Sequence, residues 1–385
     1  MRTMTAIIFF GIFFLITGGI SFYIYIRGLQ SIPQGSSLRH PYTIVFWIVA
    51  CSFIGGRVLE RFVPSVVSDL FIWMGSFWIA AMIYFLLAVV SLDVLRLVNR
   101  FIPIFPSAIR DNYAQAKYIV SVSVIGLVGL ILLSGHINSL MPRVRKLDIK
   151  IAKKAGSLKT LNIVAASDIH LGIIVGRSRF DHIVEKINSL NPDLVLFPGD
   201  IVDEDLTPVI KQNLGESLKN IRARLGVYAV TGNHEHIGGA ERACAYLRDH
   251  NIVMLRDQST LVADSVYIVG REDRAISRFN GYQRKSLAQL MTGVDTKLPI
   301  ILMDHQPFGL DEAVDQGIDL QLSGHTHYGQ LWPVNYIVES IYELAWGYRK
   351  IGGTHFYVSN GVGTWGPPVR VGNRPEIVQI QITFD

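Results

Sequence analysis

A chain of 385 residues has room for two separately cored domains, and a composition half apolar and only 17% charged is low in charge for a water-exposed protein of that size. The formal net charge of +5 includes no long Lys/Arg tract, so no nucleic acid is expected as a stable partner. The two cysteines, Cys51 and Cys244, lie in different halves and suggest neither a disulfide framework nor a thiolate metal site.

The apolar excess sits in the first 140 residues. Met4–Ile26 runs without a charge and is long enough to cross a bilayer core. Tyr42–Gly56 is shorter and ends at Arg57, whose long side chain can snorkel to an interface. Leu70–Leu92 and Tyr118–Leu140 complete a set of four candidate crossings. A signal peptide would be a single short apolar core with a cleavage site, which four such segments do not resemble. Four crossings put both termini on one side. With the termini inside, the flanks carry nine Lys and Arg inside against six outside, so the second half is expected in the cytoplasm. The expected location is a multi-pass protein of the cell membrane, with membrane lipids as partners.

Residues 143–158 read as a basic linker. Arg143, Arg145, Lys146, Lys150, Lys153 and Lys154 alternate with Val144, Leu147, Ile149 and Ile151, a pattern suited either to anionic headgroups or to a plain topology signal. The expected organisation is therefore a transmembrane region over 1–142, this linker, and a separate domain over 159–385.

From Leu161 onward, apolar runs alternate with amphipathic ones, which implies a layered α/β fold. Expected strands are Leu161–Ala166, Asp193–Phe197, Val227–Val230, Ser265–Val269, Ile300–Met303, Leu320–Leu322, His355–Val358 and Glu376–Thr383. Expected covering helices are Phe180–Leu190, Gln212–Leu225 and Arg242–His250. Five short blocks fall at or near the ends of these strands: Asp168-Ile169-His170, Gly199-Asp200, Gly232-Asn233-His234-Glu235, His305, and Gly324-His325-Thr326-His327. Each supplies oxygen or imidazole nitrogen, the donors that first-row divalent cations prefer. Strand ends converge on one crevice in open α/β sheets, so donors far apart in sequence can share a site. Two cations about 3.5–4 Å apart need a shared anion, and Asp200 is the natural bridge. A positive site of this kind favours hydrolysis at phosphorus by activated water, and no Ser or Cys sits in a nucleophile-elbow context.

In order and spacing these blocks resemble the calcineurin-like metallophosphoesterase superfamily over roughly residues 160–385. The resemblance implies a layered β-sandwich flanked by helices, here preceded by the four-helix transmembrane region. It implies two divalent metal ions of the Mn, Fe, Zn or Mg class. Asp168, His170, Asp200 and His327 would bind one, and Asp200, Asn233, His305 and His325 the other. His234 would contact the phosphate or protonate the leaving oxygen, with Asp203 as its carboxylate partner. Tyr328 stands where close relatives have a glycine, and Glu235 where an Asp is common.

The ending Asn360-Gly361-Val362-Gly363, Pro367, Arg370, Arg374-Pro375-Glu376 is similar to the membrane-associated bacterial branch. Some members of the wider group cleave the pyrophosphate of a UDP-diacylglucosamine, which makes an amphiphilic, lipid-linked phosphoester the implied substrate. The rival expectation is a metal-binding regulatory module coupled to the membrane segments without turnover. The basic cluster Arg271, Arg274, Arg278, Arg284 and Lys285 fits either a phosphate-gripping loop or a solvated face, and the second is favoured. Trp365 and Arg370 either line the cleft or support it.

Overall fold

The computed structural model describes residues 2–63, 65–279 and 281–385, with side chains from residue 14 onward, Arg61 excepted. The chain divides into two compact units, Met1–Gly135 and His136–Asp385.

The first unit is helical: α1 (Arg2–Ser31), α2 (Arg39–Phe62), α3 (Val66–Phe101), α4 (Ser107–Asp111) and α5 (Tyr113–Ser139), whose last turn belongs to the second unit. Among the described residues three helices are long and apolar enough to cross a membrane, Arg39–Glu60, Val66–Phe101 and Tyr113–Ser139. The expected fourth crossing is not among these described candidates. The expected Met4–Ile26 crossing falls in α1, and its first part, up to residue 13, lies outside the described side chains. The segment that looked short is not: α2 runs 24 residues, about 36 Å at the helical rise. Ser65 starts α3, its hydroxyl accepting from the Ser68 amide in a capping box. Asp93, outside the span expected from sequence, lies inside α3 and meets Arg27 at 2.6 Å and Arg96 at 3.0 Å. A carboxylate on an apolar helix is tolerable only with such partners.

The second unit is built on twelve strands: β1 (Arg143–Ile151), β2 (Thr160–Ala165), β3 (Leu194–Pro198), β4 (Val227–Val230), β5 (Val253–Met254), β6 (Gln258–Val262), β7 (Val266–Gly270), β8 (Ile300–Met303), β9 (Leu320–Ser323), β10 (Gly347–Ile351), β11 (Thr354–Val358) and β12 (Glu376–Phe384). They form two six-stranded mixed sheets, ordered β1-β12-β2-β3-β4-β5 and β10-β11-β9-β8-β7-β6. Side-chain alternation sends Ile163, Leu196 and Ile380 of the first sheet and Ile268, Met303 and Leu322 of the second into one shared core. The opposite face of the first sheet packs Val195 and Phe197 against Phe180, Ile183 and Ile187 of helix α6 (Arg177–Ser189). The opposite face of the second packs Val269, Leu302 and Phe356 against Leu287, Leu290 and Leu310. The unit is a helix–sheet–sheet–helix sandwich.

Residues 143–151, expected within a linker, are strand β1, paired in parallel with β12 from Arg143↔Glu376 to Ile151↔Phe384. Their alternation is that of a half-buried strand: Ile149 and Ile151 are buried while Lys146 and Lys150 face solvent. The expected helix Gln212–Leu225 shortens to Leu214–Lys219. Beyond it the backbone finds partners elsewhere, Arg222 N donating to Asn188 Oδ1 at 2.8 Å and Leu225 N to Asp193 O at 2.7 Å. Because Phe180 is fully buried in the layer behind the first sheet, Phe180→Ala is expected to lower unfolding stability by about 3–5 kcal/mol, measured by denaturant titration of the detergent-solubilised protein.

Candidate metal centre

Parallel strands β2, β3 and β4 end on the same edge of the first sheet, and β8 and β9 end on the matching edge of the second. The five sequence blocks are the turns leaving those ends. Three of the five turns, those after β2, β3 and β9, are sharp enough to force their donor residues into left-handed backbone. Asp168 (φ 53), His170 (φ 54), Asp200 (φ 52), His325 (φ 70) and His327 (φ 45) all adopt it. Non-glycine residues there cost of order 1 kcal/mol or more, and they persist where surroundings over-determine the geometry. Two glycines make room. Gly199, at φ 89, has His305 Nδ1 2.5 Å from where a Cβ would sit. Gly324 packs directly on the Asp168 carboxylate.

All nine residues singled out from sequence come together; six are buried, and Asp203, Asn233 and His325 are half-buried. Asp168, His170 and His327 form one cluster of potential ligand atoms, and Asp200, His305 and His325 another. In the first, His170 Nε2 and His327 Nε2 are 3.0 Å apart and His327 Nε2 is 3.4 Å from Asp168 Oδ1. In the second, His305 Nε2 lies 3.1 Å from Asp200 Oδ2 and 3.3 Å from Asn233 Oδ1. Asp200 Oδ2 is also 3.9 Å from His170 Nε2, so one carboxylate faces both groups. Beside them His234 Nδ1 meets Asp203 Oδ1 at 3.0 Å, and the same oxygen lies 3.5 Å from His170 Nδ1.

The electrostatics sort these side chains. Burial lowers His325 to about 3, with help from the positive His305 beside it. Burial likewise lowers His327, reinforced by His170 and Arg370. Both are therefore neutral imidazoles with a lone pair to give. Burial resists charge on Asp200 and His305, but their mutual attraction wins, holding Asp200 low and His305 high. Burial also resists charge on His234, yet Asp200 and Asp203 outweigh it and raise the ring to about 9. Asp203 is held low against its own burial by His170 and His234.

Several supporting residues were not legible as such. Glu235, noticed in sequence only as a departure, is 1% exposed. Its carboxylate accepts from Asp200 N at 3.1 Å, Val202 N at 2.8 Å and Gly232 N at 2.7 Å, tying two ligand turns together. Ser167 Oγ donates to Asp168 Oδ2 at 2.5 Å. Arg370 is fully buried behind the cleft, with NH2 3.3 Å from His327 Nδ1 and 2.8 Å from Gly363 O. Trp365 is the tail residue that reaches the cleft, its ring 6.0 Å from that of His234. Tyr328 turns to Glu339 and Trp346.

The basic cluster is not a uniformly solvated face. Arg271 and Arg284 bind Asp304 at 3.2 and 2.9 Å, and Arg271 also binds Glu312 at 2.8 Å. Glu235→Ala would orphan three buried amides at about 1 kcal/mol or more each. The expected loss is at least about 3 kcal/mol in denaturant unfolding, with Glu235→Gln retaining part of it.

A family model described as calcineurin-like phosphoesterase matches residues 161–329. A Danio rerio protein named transmembrane protein with metallophosphoesterase domain is 32% identical over 283 residues, 70% of this chain and 64% of that one. Its Bos taurus namesake is 32% identical over 254 residues, 62% of this chain and 56% of its own. An uncharacterized metallophosphoesterase of Aquifex aeolicus is 32% identical over 251 residues, 64% of this chain and 94% of its own. The chain spans less than two thirds of the length of the first two relatives.

Proposed function

We propose a specific activity for this chain, which belongs to the calcineurin-like metallophosphoesterase family: hydrolysis of a phosphoester or pyrophosphate bond at a dinuclear metal site. Asp168, His170, Asp200 and His327 hold one divalent cation in this reading, and Asp200, Asn233, His305 and His325 the other. The observation that carries it is the Asp200 carboxylate, whose Oδ2 faces His305 Nε2 at 3.1 Å and His170 Nε2 at 3.9 Å. The donor chemistry fits cations. Two imidazole Nε2 atoms 3.0 Å apart converge beside a carboxylate, a mixed nitrogen and oxygen donor set of the kind first-row divalent cations prefer. Left-handed backbone at five of the seven proposed ligands supports the same reading.

Two divalent cations, if held beside the Asp168 and Asp200 carboxylates, would supply a net positive pocket for phosphate oxygens and a lowered pKa for water. The chain supplies the rest. His234, protonated below about 9, donates its proton to the leaving oxygen. Asp203 takes the Nδ1 side of that ring at 3.0 Å and so fixes its tautomer and direction. Burial pushes the Cys244 thiol up to about 12, which removes it as a nucleophile at neutral pH.

The three apolar helices support a membrane location, as do relatives named as transmembrane proteins. The full proposal is a multi-pass protein of the cell membrane. Residues 1–142 form the membrane region with α1 as a fourth crossing, 159–385 form the catalytic domain on the cytoplasmic side, and the substrate is an amphiphilic, lipid-linked phosphoester.

With Mn²⁺ supplied, the purified protein is expected to hydrolyse bis(p-nitrophenyl) phosphate. Asp200→Asn and His325→Ala should each cost at least about 100-fold, of the order seen when an essential electrostatic group is removed, and chelation should abolish turnover. A metal-loaded protein that turns over no phosphoester would instead favour a regulatory metal-binding module. The pH profile gives a second test. His234 is charged below its raised pKa, so activity falls as pH rises through about 9. Asp203→Asn removes one of the anions that raise it, and the alkaline limb is expected to move to lower pH.

A further inference from the structure

The second unit exposes large apolar side chains in one knitted region beside the metal centre. Trp332 is 47% exposed, Tyr336 61%, Ile337 60%, Ile341 56% and Trp365 52%. Ile337 and Ile341 are one turn apart on the helix Asn335–Ile341, so they share a face. The segments are tied together by hydrogen bonds. Trp332 N donates to Val371 O at 2.9 Å, and Gln330 Nε2 donates to Trp365 O at 3.0 Å and Pro367 O at 2.9 Å. One member of the region and one half-buried neighbour border the cleft. Trp365 lies 6.0 Å from His234, and Tyr342, capping the helix, lies 6.1 Å from His325. Exposed large apolar side chains grouped next to a site mark a surface built to be covered.

The same loop receives the closing turn of α5, the last candidate crossing. His136 Nδ1 is 2.7 Å from Pro368 O, and Asn138 Nδ2 donates to Arg370 O at 2.9 Å and Asn373 O at 2.7 Å. Arg374 Nε donates back to Asn138 Oδ1 at 2.7 Å. Immediately after that turn come exposed Leu140 and Met141, then exposed Arg143, Arg145 and Lys146. Trp and Tyr at the rim, aliphatic side chains beside them and basic residues next in the chain are together the chemistries of a bilayer–water interface.

We propose that this rim of Trp332, Tyr336, Ile337, Ile341 and Trp365 seats in the interface of the bilayer that α5 crosses, so that the cleft takes a phosphoester presented from the lipid surface. The bilayer is the occupant because the span's own last turn is bonded to the rim's loop, which leaves little chain to carry the rim away from the membrane. The docking stands on these contacts alone. The claim about presentation of substrate rests on the phosphoesterase reading above.

The test uses the full chain reconstituted in phosphatidylcholine/phosphatidylglycerol vesicles. A thiol-reactive fluorophore is carried by Ile337→Cys, or by Val253→Cys on β5 at the far edge of the first sheet, in a Cys51→Ser, Cys244→Ala background. Nitroxide-bearing lipids are expected to quench the label at 337 and spare the one at 253. No quenching at 337, or equal quenching at both positions, overturns the docking. A label at 337 that is shielded only by a second copy of the chain gives no lipid quenching and overturns it too.

The second arm compares hexadecyl p-nitrophenyl phosphate in the vesicles with soluble bis(p-nitrophenyl) phosphate. Ile337→Asp with Ile341→Asp is expected to lower turnover of the lipid ester by about tenfold, since charge on the inserted face weakens interfacial binding, and to leave the soluble ester unchanged. Equal loss on both esters overturns the presentation claim. Quenching at 337 in a protein that hydrolyses neither ester retains the docking and sinks the phosphoesterase reading.

Discussion

The second unit is organised around one costly act, the burial of two carboxylates. Asp168 is 0% exposed and Asp200 2%, and an unmatched charge in such surroundings would not stay ionised. Matching comes from fixed donors. His305 stands 3.1 Å from Asp200, the His234 amide donates to it at 2.9 Å, and the His325 amide donates to Asp168 at 2.9 Å. Those donors lie on turns leaving three different strands of two sheets. The sheets must therefore hold register closely enough to bring them within hydrogen-bond range of one another, and the left-handed turns are the local consequence.

Rigidity behind the cluster is polar rather than apolar. Glu235 binds the backbone of the Asp200 and Gly232 turns, and Arg370 fills the space behind His327. A further buried network backs the turn that carries Asn233 and His234. Glu272 accepts from Thr231, faces His236 Nε2 at 2.9 Å and receives Arg256 Nε at 2.6 Å. Burial opposes its charge, but His236, Thr231 and Arg256 prevail and hold it at about 2. Buried networks of this kind favour one geometry, because moving their members would leave further buried groups without partners. In front of the cluster the character changes to exposed aromatic and aliphatic side chains.

Much of this was legible in the chain. The strand runs were readable because buried parallel strands are short apolar stretches bounded by turns, and the ligand blocks were readable because they follow those stretches directly. Strand β1 was misread as linker, since a strand with one wet face and many lysines has the composition of a charged tether. Its identity depends on β12, more than two hundred residues away. The roles of Glu235 and Arg370 were hidden for a similar reason. An acid or a guanidinium announces a charge, while the backbone groups it will satisfy are chosen only by the packing.

What the amino-acid order determined by itself was the donor set, the glycines that let the turns form, and the division into an apolar helical half and an α/β half. These are properties of short segments, set by side-chain chemistry and local backbone preference. Only tertiary structure decided that one aspartate oxygen faces both donor groups, that Asp203 serves His234 and His170 together, and that an aromatic rim shares its loop with the last turn of α5. Each of these is a distance between segments remote in sequence, and such distances exist only after the sheets have paired and excluded water.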